Sequence, residues 1–205
     1  MTHLTKTLPL IMLMALAAPA FAQSTDEATT TEEPAAPTDA LALSMGDEGT
    51  SPGDIYIDGE FGDWETRCVK SESGNDPCQL YQLLDDGNGN PVAEINVFSL
   101  PGGEGQPVAG ATIITPLETL LTQQLAMSVD GGAVKRYPFS WCSTIGCFSR
   151  MGFSAADIDG FKRGVNATLT IVPVAAADQR VNLTVSLKGF TAGYEDLHDR
   201  DKPAE

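Results

Sequence analysis

Four cysteines, two histidines and one cluster of cations beside aromatics are the residues of this 205-residue chain best suited to chemistry. Nine residues separate Cys68 from Cys78, and four separate Cys142 from Cys147. A four-thiolate zinc site usually shows two-residue knuckles, and a redox dithiol shows the same two-residue gap. Neither spacing is present, so the expected chemistry is two structural disulfides. Four cysteines admit three connectivities. The turn-forming Ser143–Gly146 would set Cys142 and Cys147 across a hairpin, within disulfide reach. The expected pairs are therefore Cys68–Cys78 and Cys142–Cys147, contributing roughly 2–3 kcal/mol each on the chain-entropy model. No metal and no cofactor are expected.

The histidines offer little. His3 lies in the N-terminal leader described below, and His198 sits in a charged stretch, Asp196–Asp201, better suited to a solvated end than to a general base. Asp86-Gly87-Asn88-Gly89-Asn90 opens like a calcium loop, but Pro91 replaces the required glycine and Val97 the bidentate acid. It reads better as a hairpin turn. The carboxylate pairs Asp85/Asp86 and Asp157/Asp159 read as turn and helix-start acids rather than an acid–base couple. Trp64 and Trp141 each stand near a cysteine pair. Both read as core aromatics packed on a disulfide, with a binding anchor as the alternative reading of Trp141. Lys135, Arg136 and Tyr137, with Trp141 close behind, form one of the few basic spots on an acidic chain and are the candidate partner contact. The same residues would also suit a charge-guarded edge strand.

The elements that must position these residues can be read from composition and periodicity. Lys and Arg total 12 against 28 Asp and Glu, a formal charge of −16. That balance excludes the basic footprint of a nucleic-acid binder and a polybasic membrane-surface module. Residues 1–22 read as a signal peptide: Lys6, the apolar run Leu8–Ala18, and an Ala20-Phe21-Ala22 cleavage site that predicts a mature start at Gln23. Residues 23–53 are rich in Ala, Thr, Pro and acids, with no aromatic and no basic residue, and are expected to be a disordered linker. The domain is expected over residues 54–198, with a flexible tail at 199–205.

Within the domain, nine strand patterns are separated by Gly, Pro, Asn and Asp clusters. They cover Trp64–Val69, Gln79–Leu84, Val92–Phe98, Ala111–Thr115, Leu125–Asp130, Tyr137–Cys142, Cys147–Gly152, Val165–Val172 and Val181–Leu187. Ser154 with Asp157 three residues on predicts a capped helix of about two turns ending at Gly164. Pro116–Gln124 is either a further helical turn or a bent connection. Phe190, Tyr194 and Leu197 share one face of a last short helix that should cover an open end of the fold. The expected class is all-β, an antiparallel β-sandwich with one or two short helices.

Five motifs in order carry a family resemblance. They are Gly62-Asp63-Trp64-x3-Cys68, Cys78-x-Leu80-x-Gln82, Val129-Asp130-Gly131-Gly132, Pro138-Phe139-x2-Cys142-x3-Gly146-Cys147, and Ser186–Thr191 with Glu195-Asp196-Leu197. Together they resemble the invasion-associated locus B family of bacterial exported proteins, from about residue 60 to 197. The resemblance implies an immunoglobulin-like sandwich at a periplasmic or cell-surface location, with no catalytic residues to carry over. The chain departs from the family pattern at Pro116–Gln124, where the family tends to have glycines near positions 118 and 124. The resulting expectation is a non-enzymatic exported module that binds an unidentified protein or envelope component. It should bind no nucleic acid and insert into no membrane after signal cleavage. The alternative is a periplasmic hydrolase with an unrecognised carboxylate-based site.

Overall fold

The computed structural model describes residues 51–87 and 89–201. The leader expected at 1–22 and the linker up to residue 50 lie outside the described residues, as do 202–205. Residues 51–53, expected in the linker, are hydrogen-bonded to the start of the domain. The Gly53 N–H donates to the Lys70 carbonyl at 2.8 Å, and the Ser51 N–H to Asp54 Oδ2 at 2.6 Å.

Eleven strands are present among the described residues: β1 (Ile55–Phe61), β2 (Trp64–Val69), β3 (Cys78–Asp85), β4 (Pro91–Ser99), β5 (Ala109–Thr115), β6 (Leu125–Val129), β7 (Lys135–Tyr137), β8 (Phe139–Ser143), β9 (Gly146–Phe153), β10 (Asn166–Ile171) and β11 (Val181–Ser186). One sheet has seven strands in the order β1-β2-β3-β4-β5-β9-β8; the other has four, β11-β10-β6-β7. Every pairing is antiparallel. Alternation sends Trp64, Leu80, Leu84, Ile95, Val97, Ala111 and Ile113 inward from the large sheet. They meet Leu125, Met127, Leu169, Leu183 and Val185 of the small one. This is the sandwich that the period-2 patterning predicts.

Two strands differ from the sequence reading. β1 was not expected, because Asp58 and Gly59 interrupt its alternation; the structure accommodates the interruption as a register shift between Ile57 and Gly59 against β2. The expected strand Tyr137–Cys142 is two strands in two sheets. Proline lacks the N–H a ladder needs, and Pro138 falls where β7 ends and β8 begins.

Helix α1 (Ala155–Arg163) begins as predicted. Ser154 accepts from the Asp157 N–H, and the Asp157 side chain returns to the Ser154 backbone. Pro116–Gln124 is a bent connection with one 3-10 turn, Leu121–Gln123, and an isolated bridge from Thr119 to Pro173. Helix α2 (Phe190–Arg200) buries Phe190, Gly193, Tyr194 and Leu197 against the end of the large sheet. It runs past His198, correcting the expected tail at 199: Arg200 pairs with Asp196 one turn back and with Asp58 of β1.

The resemblance motifs Gly62-Asp63-Trp64, Gln82 and Ser186–Phe190 meet at one junction. Trp64 Nε1 donates to the Ser186 carbonyl at 2.8 Å, and Gln82 Nε2 donates to the carbonyls of Asp63 and Ser186, each at 3.0 Å. Ser186 returns its N–H to Gln82 Oε1 at 2.8 Å. The Asp63 N–H donates to the Lys188 carbonyl at 3.1 Å. A Cβ on Gly62 would sit 2.7 Å from that same carbonyl oxygen, so the β1–β2 turn and the β11–α2 connection touch backbone to backbone. These motif residues lock the two sheets together.

Candidate interaction surface

The cysteines occupy directly opposed cross-strand positions. Cys68 on β2 is bonded to Cys78 on β3, and Cys142 on β8 to Cys147 on β9. The second bond closes the β8–β9 hairpin and so fixes the outermost strand of the large sheet. No cluster of three or more metal-ligating side chains occurs among the described residues.

The candidate contact residues Lys135, Arg136, Tyr137 and Trp141 are distributed over two sheet edges. β7 is the last strand of the small sheet and β8 the last of the large one, on the same side of the domain. The crossing between them is held by Ser149, whose Oγ donates to the Pro138 carbonyl at 3.0 Å.

The four side chains have different surroundings. Lys135 donates to Asp157 at the start of α1, and that hydrogen bond pushes the ammonium pKa up. Burial works against the Asp157 carboxylate, but hydrogen bonds from Lys135 and Ser154 outweigh it and hold its pKa down. Lys135 is thus spent on tethering β7 to α1. Tyr137 is half-buried, edge-on to Phe153 with ring centroids 6.4 Å apart, and burial raises its phenol. It belongs to the core margin and is withdrawn from the expected patch. Arg136 is exposed and, among the described residues, reaches only the Gln123 carbonyl, at 3.4 Å. Trp141 is 47% exposed and lies flat on Phe148, with centroids 4.8 Å apart and planes 12° apart.

Register extends that aromatic pair into a row. On the outer face of the large sheet, Trp141 opposes Phe148, Phe148 opposes Ile114, Ile114 opposes Glu94, and Glu94 opposes Leu83. A shallow groove of about 220 Å³ runs beside the row, lined by Leu83, Val92, Glu94, Ile114 and Ile145. Leu83 is 55% exposed and Ile145 73%. Sequence reasoning passed over Leu83, Ile114, Phe148 and Ile145. One signal was available on β3: with Leu80, Gln82 and Leu84 pointing inward, Leu83 must point outward. Arg150 is exposed on the same face of β9, opposite Thr112. Neither Arg136 nor Arg150 has a carboxylate partner among the described residues.

His198 faces solvent. Its Nδ1 lies 3.1 Å from Ser99 Oγ, and its ring stacks on Tyr194 at 6.2 Å. This exposed serine–histidine contact stands on the outside of α2 and lines no part of the groove beside Trp141. Asp85 serves the β3–β4 turn, accepting from the Gly87 N–H at 2.7 Å. Asp157 caps α1. The two acids take the structural roles that their positions predict.

Comparison with known proteins gives a consistent picture. The model of the family described as invasion associated locus B (IalB) protein matches residues 64–198. The crystal structure of invasion associated protein B from Bartonella henselae is similar at a TM-score of 0.58 and 22% identity, covering 68% of this chain and 92% of that one. No curated protein matches the chain.

Proposed function

The chain belongs to the invasion associated locus B family, and on that premise we propose that it is an exported, non-catalytic binding module whose β7–β8 side engages a protein or envelope component. The observation that carries this reading is the exposed Trp141–Phe148 stack at the rim of the large sheet. Large aromatics that offer apolar area at little entropic cost are the usual anchors of protein interfaces. Here the anchor is also rigid, because the Cys142–Cys147 bond holds its hairpin. Two disulfides and a leader-like N-terminus support export into an oxidising compartment. No helix among the described residues is long and apolar enough to cross a membrane.

The test is site-specific photo-crosslinking in the source cell. An aromatic crosslinking side chain, which keeps a large ring at the anchor, replaces Trp141 in one strain, and the same side chain replaces Ile55 in another. Ile55 is 68% exposed at the opposite edge of the same sheet. The expected result is a discrete adduct from position 141 alone. Equal labelling from both positions, or none from 141, overturns the reading.

A further inference from the structure

We propose that β8 takes up an extended, acidic segment of another protein as an added strand, with the segment's apolar side chains against Trp141 and its carboxylates against Arg136 and Arg150. This deepens the binding reading above and rests on it.

The backbone is the first support. β8 ends the order of the large sheet, so among the described residues one side of it has no neighbouring strand. Among the described residues, no backbone hydrogen bond of Phe139–Ser143 leaves the β8–β9 ladder. Edge strands are commonly blunted by charge. β1, at the other end of the sheet, carries Asp58 and Glu60. β8 reads Phe-Ser-Trp-Cys-Ser, with no charge and no proline. A register shift between Phe139 and Trp141 confines its regular ladder to Trp141–Ser143. An added strand would therefore make few main-chain bonds, and side chains must supply much of the affinity. Trp141 and Phe148 stand beside that short ladder to do so. Strand addition uses the same division of labour, with main-chain bonds for affinity and alternate side chains for selectivity.

Charge selects the occupant. Arg136 lies three residues before the start of β8, and Arg150 follows Ser149, the β9 residue that opposes Phe139. Arg150 thus stands near the N-terminal end of β8 on the outer face of the large sheet, and Arg136, opposite Ala126 of β6, on the β7 edge of the small sheet, so the two cations flank that end of β8 from the two sheets. Among the described residues they have no carboxylate partner, although the chain carries a formal charge of −16. A segment bearing acids at that end would complete them. A second copy of this chain would not. Two β8 edges related by a two-fold axis pair antiparallel, which sets the uncharged tip Ser143–Ile145 of one copy against the arginines of the other. The net charge of each copy also opposes that approach.

The experiment uses the full mature chain and a displayed library of short random peptides. Selections run in parallel on the wild type and on the Arg136→Glu/Arg150→Glu variant. The expected winners on the wild type alternate apolar and polar residues and carry Asp or Glu at one end. They should bind at least about tenfold more weakly to the double variant and to Trp141→Ala. They should also protect the Trp141–Ser143 amides from hydrogen exchange. The melting temperature of the arginine double variant should match the wild type, because both substituted side chains are exposed. Strand addition is overturned if no peptide is enriched, if winners lack an acidic bias, or if protection falls elsewhere. A dimer in solution abolished by Trp141→Ala would also overturn it, in favour of self-pairing. A position-141 adduct obtained in cells alongside any of those results leaves the binding reading standing and removes only the strand mode. No adduct at 141 removes both.

Discussion

Gly189 is the position where one methyl group should do most damage. Its φ is +88°, and a Cβ placed there would lie 1.9 Å from the Phe61 carbonyl oxygen and 2.4 Å from its carbon. Gly131 is the matched control, at φ +72° with nothing within 4 Å of a Cβ. Both alanine variants incur the left-handed backbone penalty, about 1–2 kcal/mol. Only Gly189→Ala must also push the β1–β2 turn away from the β11–α2 connection. That displacement threatens the Trp64 and Gln82 bonds to Ser186 and the bond from the Asp63 N–H to Lys188. Leaving a buried polar group unpaired costs about 1–3 kcal/mol. Losing two of these bonds brings Gly189→Ala to about 5 kcal/mol in all. Against a typical stability of about 5–15 kcal/mol, that is a large fraction. Urea unfolding followed by circular dichroism on the oxidised proteins measures both variants. Equal destabilisation by Gly131→Ala and Gly189→Ala would refute the close-approach argument.

Phe190 is 1% exposed and packs edge-on to Trp64 and Phe161, so Phe190→Ala should cost about 3–5 kcal/mol in the same assay. Truncation after Leu187 should lower the melting temperature, since α2 would be lost; an unchanged value would place the helix outside the cooperative unit. Reductant should lower the melting temperature and chelator should not, because the cysteines are paired with one another at about 2–3 kcal/mol per bond; the reverse result would mean metal ligation. Bonds from the Ser71 N–H and the Tyr56 hydroxyl hold the Asp76 carboxyl at about 2. Its folded value lies below its unfolded one, so the stabilisation is present above about pH 4 and is lost as pH falls through about 2. Melting curves across that window should fall more steeply for the wild type than for Asp76→Asn. Ser154→Ala removes the α1 cap and should cost about 1 kcal/mol by urea unfolding.

Local periodicity and short spacings made several features legible in the chain itself. Alternation placed Trp64, Thr66 and Cys68 on one face of β2, and all three are buried. The Ser154/Asp157 spacing defined the start of α1, and the i, i+4, i+7 pattern placed Phe190, Tyr194 and Leu197 on the buried face of α2. These are properties of a few consecutive residues, set by side-chain direction and backbone valence. Pro138 carried a local signal that the single strand expected over Tyr137–Cys142 overlooks: a missing N–H must interrupt a ladder. That the chain changes sheets there, however, follows from which edges were free to receive it.

The interaction surface was the least legible part. Lys135, Arg136, Tyr137 and Trp141 are close in sequence, but tertiary contacts gave them different fates. Asp157 arrives from α1 to engage Lys135, and Phe153 from β9 to cover Tyr137. Trp141 acquires Phe148, and through it Ile114 and Leu83, only because β9 inserts between β5 and β8. A sequence specifies which side chains can face outward. Strand order and register, set by burial summed over the whole sandwich, decide which outward side chains become neighbours.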